Sequence, residues 1–500
     1  MPPAWKDKVF TLILCLAAGA LTSFAFSPYD IYFLAVLGPA ALIHSWSSAR
    51  PGNAFLYGYV FGLGLFGTGV NWIHISINLF GGVNFVGAIA LTFLFIAFIA
   101  LYPAIVGYVS RRFFTGSAPF TYLVFIIPSL WTVGEWIRGW LFTGFPWLNL
   151  GYSQIDSPLG HLAVLTGVYG VSWSIMLTTG AVVSFFKTGN AQKTIAVILV
   201  LLVWSTGWLL GKRDWTQSEN REISVVLVQG AVPQQLKWRP EMQQVSLELY
   251  KGLSEPYLDH DLIIWPETAI PMFYYTGAGI GTDLLQITRR NHTRLLTGLP
   301  FADQETKSYF NSIVMFNDKV TYYHKRHLVP FGEYLPFKSL LNNVLNFLEI
   351  PMSDFSAGTA KRPLLEDDKF KIGVSICYED TFGEEVIEAL PDAEILVNIS
   401  NDAWFGDSAA PHQHLQMARM RALETGRYLL RATNTGISAI IDEKGNVIAQ
   451  SAQFAPVALP GTANLFRGTT PYASLGNYPV IIISLLILII AATLGKKKNN

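Results

Sequence analysis

The apolar residues of this chain are unevenly spread, and their distribution constrains the architecture before any motif is read. Hydrophobic residues make up 51 % of the 500 and charged residues 14 %, against roughly a quarter charged in an ordinary soluble protein. They concentrate in the first two-fifths and again near the end. A membrane-spanning helix needs about 20 mostly apolar residues. Seven stretches before residue 212 are candidates, at 9–26, 31–47, 54–76, 84–110, 118–137, 160–186 and 194–211, and an eighth runs over 478–495. The second is short enough to be partly interfacial.

The basic residues suggest an orientation. Lys6, Lys8, Arg50, Arg111, Arg112, Lys187, Lys193 and the terminal Lys496, Lys497 and Lys498 share one side if both termini are cytoplasmic. Arg138, Lys212 and Arg213 run against that bias. The long segment between spans seven and eight then lies outside the cytoplasm. The expected domains are a seven-span bundle over 1–212, an extracytoplasmic domain over 220–470 and a terminal transmembrane helix over 478–495. Reading the first stretch as a cleaved signal peptide is opposed by the six spans that follow it. Formal net charge is zero, which suggests no nucleic-acid partner.

The island over 220–470 has another character. Short runs rich in Val, Ile and Leu recur at Ile223–Gln229, Leu262–Trp265, Arg294–Gly298, Ser312–Phe316, Thr321–Lys325, Ile372–Cys377 and Ile395–Ile399, as strands buried on both faces require. Pro240–Leu253 and His412–Thr425 carry helical spacing between them. The alternation predicts one α/β domain.

The chain has two cysteines, Cys15 in the first apolar stretch and Cys377 in the island. Cys377 therefore has no disulfide partner within its domain, and it is either a packing residue or a reactive one. It closes a strand-like run, and two other sites place a charged side chain in the same way: Glu267 in Leu262-Ile-Ile-Trp-Pro-Glu-Thr268 and Lys325 in Thr321-Tyr-Tyr-His-Lys-Arg326. Singly, each has an ordinary explanation: inert packing, a turn cap and a solvated charge. Together they are what nucleophilic acyl chemistry needs. A thiol of ordinary pKa near 8.5 is mostly protonated at neutral pH. A carboxylate can take its proton, and a fixed ammonium can stabilise the tetrahedral oxyanion.

The set Trp265-Pro-Glu-Thr268, Lys325 and Cys377-Tyr-Glu379 resembles the nitrilase superfamily. That resemblance implies a four-layer αββα sandwich carrying a Glu–Lys–Cys triad. Thr143-Gly-Phe-Pro-Trp147, His327-Leu-Val-Pro-Phe-Gly-Glu-Tyr334, Asn398-Ile-Ser-Asn-Asp-Ala-Trp-Phe-Gly406 and Pro411–Glu424 narrow it to a resemblance to the apolipoprotein N-acyltransferases over nearly the whole chain. In that family an acyl chain passes from a phospholipid, preferably phosphatidylethanolamine, to the N-terminal amine of a diacylglyceryl-cysteine lipoprotein.

By the resemblance, Glu267 is the general base, Lys325 the oxyanion stabiliser and Cys377 the nucleophile of a ping-pong reaction through a thioester. Glu333, Tyr378 and Glu379 match further essential positions. Trp238 and Trp404 match aromatics of mobile loops near the substrate, and Gly144 and Trp147 match membrane-side positions needed for activity. No cofactor is implied.

Other features stay open at this level. Glu135 and Arg138 near the outer end of span five are costly in lipid; they either pair with each other, or Arg138 meets a lipid phosphate. The glycines at 58, 62, 64, 67 and 69 suggest close helix packing. His412 and His414 lack an apparent third ligand for a metal. The apolar stripe in Leu335–Phe355 is either a lid dipping into the membrane surface or a helix packed on the domain's own core. The nearest rival function is a membrane-anchored nitrilase-type amidohydrolase acting on a lipid-like amide. A transporter with an accessory domain is disfavoured by the scarcity of ionisable residues in the spans.

Overall fold

A computed structural model describes residues 5–274, 279–334 and 355–497. It divides into two compact units. One comprises Met1–His74, Val86–Asp214 and Ser474–Asn500, the other Ile75–Phe85 and Trp215–Ala473. Most of the apolar stripe expected over Leu335–Phe355 lies outside the described residues.

The first unit is helical. Among the described residues, five helices are long and apolar enough to cross a membrane: Phe85–Phe113, Pro119–Arg138, Pro158–Phe185, Asn190–Leu210 and Tyr478–Gly495. A sixth counts if Pro51–Gly69 and Ile73–Leu79, separated by a short break, form one span. The other two expected spans are helices that fall short of that standard. Trp5–Ser23 takes Lys6, Asp7 and Lys8 into its first turns, and Leu34–Trp46 has 13 residues with Pro39 inside. The glycines of Pro51–Gly69 do mark close approach: a Cβ at Gly58 would stand 2.4 Å from the Pro103 carbonyl, and one at Gly64 2.2 Å from that of Leu16.

The second unit holds two six-stranded sheets. In chain order the strands are β1 (Gln217–Gln229), β2 (Leu262–Ile264), β3 (Arg294–Asp303), β4 (Ser308–Phe316), β5 (Val320–His324), β6 (Leu364–Glu366), β7 (Lys371–Ile376), β8 (Ile395–Ser400), β9 (Leu429–Thr433), β10 (Ala439–Ile441), β11 (Val447–Gln450) and β12 (Val457–Arg467). One sheet runs β12-β1-β2-β3-β4-β5 and the other β11-β10-β9-β8-β7-β6.

Alternating side chains divide the unit into layers. Val225, Leu227, Ile264 and Ile313 of the first sheet share a buried core with Ile372, Val374, Ile376, Val397 and Leu430 of the second. On the first sheet's opposite face, Val226, Val228 and Ile263 pack with Leu247, Tyr250 and Leu284 from helices Pro240–Ser254 and Ile280–Asn291. On the second sheet's outer face, Leu396 and Leu429 pack with Leu415, Ala418 and Ala422 of helix Ala410–Thr425. The result is the expected αββα sandwich.

Strand direction puts the polar residues at one end of the first sheet. β2 and β3 are parallel, while β3–β4 and β4–β5 are antiparallel, so β5 runs with β2. Their C-terminal ends lead into Glu267 and Lys325. β7 leads into Cys377 in the other sheet.

Candidate active site

Each of the three residues is held by a different device. The indole of Trp265 is buried, donates to the Ser254 hydroxyl at 2.8 Å and packs on Tyr250, fixing the start of the Glu267 turn. Gly298 of β3 approaches that turn so closely that a Cβ there would stand 2.6 Å from the Glu267 Cα. Lys325 continues the sheet, its amide donating to the Asn311 carbonyl at 2.8 Å. Cys377 takes a left-handed backbone with φ 51° and begins a single helical turn, Cys377–Thr381.

The side chains converge. The buried Lys325 ammonium lies 3.9 Å from Glu267 Oε1 and 2.8 Å from Glu333 Oε2. Asn311 donates through Nδ2 to both carboxylates, at 2.7 Å to Glu267 and 2.8 Å to Glu333. Glu333 also accepts from the Val329 amide. Cys377 is partly exposed. Burial pushes its thiol well up, Glu267 pushes it further, and Lys325 opposes both. Burial likewise raises Glu267 against the pull of Lys325. Burial works against the Lys325 ammonium, but Glu333 and Glu267 outweigh it and keep the proton on. A fixed cation thus stands beside a carboxylate whose pKa is shifted towards the working range of a base, and its charge acts on the Cys377 thiol.

Glu379 joins the two sheets at this point. It accepts from the Ile376 amide at 2.8 Å at the end of β7. It also accepts from the Tyr323 hydroxyl at 2.9 Å and the amides of Arg326 and His327 at 2.7 and 3.2 Å, on the segment carrying Lys325. Tyr378 packs its ring against Phe382 and His327. Trp404 meets Phe80 at 4.8 Å between ring centroids. Trp238 follows the short helix Gln234–Lys237, whose Gln234 accepts from the Asn401 amide group at 2.7 Å.

Gly144, Trp147 and Arg138 lie in the helical unit. Gly144 has φ 84°, and a Cβ there would stand 2.1 Å from the Gly139 carbonyl. Glu135 and Arg138 do not form an ion pair with each other. Arg138 donates to the carbonyls of Phe145 and Trp147 and to Asn149 Oδ1. Glu135 accepts from the Trp131 indole and the Leu150 amide. Both therefore pin the connection carrying Gly144 and Trp147. Arg138 is buried and has protein partners where a lipid phosphate was the alternative.

Several site residues escaped sequence reading. Asn311 is one polar residue in an apolar strand, and nothing in its spacing marks it. His414 bridges Asp380 at 2.8 Å and Asp402 at 3.0 Å, and Arg431 contacts the same two aspartates. Asn398 accepts from Arg431 and donates to the Cys377 carbonyl at 3.3 Å, so this buried cluster backs the Cys377 turn.

Comparison with known proteins fits this geometry. Residues 18–181 match the model of the apolipoprotein N-acyltransferase N-terminal domain, and residues 227–459 match that of the carbon-nitrogen hydrolases. The apolipoprotein N-acyltransferase of Methylococcus capsulatus is 43 % identical, with 98 % of this chain and 97 % of that protein aligned. The chain belongs to the apolipoprotein N-acyltransferase family. The enzyme of that name from Nitrosomonas europaea is 41 % identical over 98 % of this chain and 99 % of its own, and that of Photobacterium profundum 38 % over 98 % and 96 %. Membership of the N-acyltransferase family therefore covers the helical unit and the sandwich alike, and favours acyl transfer over the amidohydrolase reading.

Proposed function

We propose that this protein transfers an acyl chain from a phospholipid to the N-terminal amine of a diacylglyceryl-cysteine lipoprotein, through a thioester on Cys377. The observation that carries the reading is the buried Lys325 ammonium set between Glu267 and Glu333, electrostatically coupled to a partly exposed Cys377.

In the first half-reaction Glu267 takes the Cys377 proton, and the thiolate attacks the donor ester carbonyl. Lys325 stabilises the oxyanion; losing one such donor costs about a hundredfold to a thousandfold in rate. Collapse breaks the ester C–O bond, Glu267 returns the proton to the departing lysophospholipid oxygen, and the thioester remains. In the second half the acceptor amine attacks the thioester, its proton passes to Glu267, and the amide forms as the thiol is restored. An α-amine of ordinary pKa near 7.7–8.0 is partly neutral at pH 7, so a strong base is not required.

Glu333 orients Lys325 by direct contact, and Glu379 holds the Lys325 and Cys377 segments together. Trp238, Trp404 and Tyr378 provide apolar surface against water, while Arg138 fixes the turn carrying Gly144 and Trp147. The bundle is read as eight spans in a bacterial inner membrane, with both termini cytoplasmic and the catalytic domain in the periplasm. For Trp5–Ser23 and Leu34–Trp46 this rests on outward apolar side chains: Phe10, Ile13, Leu16 and Leu21 on the first and Leu37 on the second are exposed, as lipid-facing residues are.

The test is to incubate the purified protein with phosphatidylethanolamine labelled in its acyl chain, then chase with a diacylated lipopeptide. Label should appear on Cys377 and move to the peptide amine, and Cys377→Ala should abolish it while keeping the fold. A protein that takes no label, or loses it only to water, would refute acyl transfer.

A further inference from the structure

Lys237 is a buried cation that the mechanism leaves unused. It ends the helix Gln234–Lys237 and is 1 % exposed. Its ammonium donates to the backbone carbonyl of Glu267 at 3.1 Å, and among the described residues it makes no other hydrogen bond and no ion pair. An ammonium has three N–H groups. Taking it out of water for one carbonyl contact is costly unless nearby charge offsets the loss.

The charges around Cys377 show what it offsets. Asp380 and Asp402 are met by Arg431 and His414. Glu379 is satisfied by three backbone amides and the Tyr323 hydroxyl. Glu267 and Glu333 remain, sharing Lys325 as their one cation in direct contact among the described residues. A second negative charge there would resist the thiolate. We infer that Lys237 is a positioning residue for acyl transfer: its ammonium is the second buried cation that, with Lys325, balances Glu267 and Glu333 and lets the Cys377 proton leave.

The inference rests on reading Cys377 as nucleophile and Glu267 as base. Burial pulls the Lys237 pKa down to about 8 against the attraction of Glu267, so the ammonium persists at neutral pH. The charge of Lys237 also favours the ionised form of Glu267.

Alkylation of Cys377 by iodoacetamide, followed by mass in the full-length protein between pH 6 and 11, reads the thiol without donor or acceptor. Failure of the acyl-transfer reading would therefore leave this measurement interpretable. Lys237→Gln keeps a hydrogen-bond donor and removes the charge; Lys237→Arg keeps the charge. The Gln variant should react about tenfold more slowly at pH 7, with its curve displaced upward by about one pH unit, and the Arg variant should follow the wild type below pH 8, where Lys237 carries its charge as well. A Gln variant that keeps the wild-type midpoint, even at a uniformly lower rate, overturns the inference. Should the Gln variant fail to fold, Lys237→Met, which also removes the charge, decides by the same measurement: a midpoint displaced upward supports the role and an unmoved one rejects it.

Discussion

Cys377 is the residue on which the site turns, and its backbone is as unusual as its position. A left-handed φ at a non-glycine residue costs of order 1–3 kcal/mol and persists only where its surroundings over-determine it. Here Asn398 donates to its carbonyl and Glu379 accepts from the amide before it. Behind Asn398 stands the Asp380–His414–Asp402–Arg431 cluster, which has a measurable pH signature. Burial and Arg431 work against the His414 charge, but Asp380 and Asp402 raise its pKa to about 9. An unfolded histidine takes its proton near pH 6.5. The cluster's contribution is therefore complete below that value and is lost as pH rises through about 9. Its scale is about 3 kcal/mol. Thermal unfolding of the wild type and His414→Gln should differ most near pH 6 and converge by pH 9.5. A gap that is constant over that range would show that the charge of His414 does not contribute.

At the scale of elements, the proposed chemistry depends on how closely β3 approaches the turn after β2. Gly298 donates its amide to the Pro266 carbonyl at 3.2 Å. In Gly298→Ala the new methyl would meet backbone atoms of Glu267 and Thr268, which have no rotamer to yield. Displacing a catalytic group by about 1 Å can cost about a hundredfold in rate, and overpacking costs about 1–3 kcal/mol in stability. Labelling of Cys377 by the acyl donor should fall by about that factor in a protein that still folds. Undiminished labelling would mean that the Glu267 backbone is not held where β3 puts it. The strands that deliver Glu267, Lys325 and Cys377 were legible because each is a short apolar run ending in a polar residue. Others were not. β9 carries the fully buried Arg431, which breaks the apolar signal, and β12 contains Pro460 and Gly461. Proline is tolerated there because β12 is an edge strand. Asn311 and Lys237 stayed hidden for a related reason: their partners are distant in sequence, so only the fold supplies the charge or carboxylate that gives them a role.

At the scale of the whole molecule, the chain's two units are not consecutive in sequence. Ile75–Phe85 groups with the sandwich although the helical unit surrounds it in sequence, and its Phe80 packs on Trp404. The hydropathy pattern gave the positions of the long helices to within a few residues, but length and composition alone do not establish that Trp5–Ser23 and Leu34–Trp46 cross a membrane. Charge placement makes the sharper prediction. If both cross, Tyr29 and Ser48 face opposite sides, with Ser48 sharing the side of Arg50 and Gln192. In a protein with Cys15 and Cys377 replaced by Ser, a membrane-impermeant maleimide applied to right-side-out vesicles should label Tyr29→Cys and, in the exposed loop after β3, Glu305→Cys. Ser48→Cys and Gln192→Cys should react only after the vesicles are opened. If Tyr29→Cys and Ser48→Cys respond alike, Leu34–Trp46 lies along the surface and the chain has fewer than eight passes. If Glu305→Cys is protected while Gln192→Cys reacts, the orientation is inverted, and the sandwich could not meet a lipoprotein outside the cytoplasm.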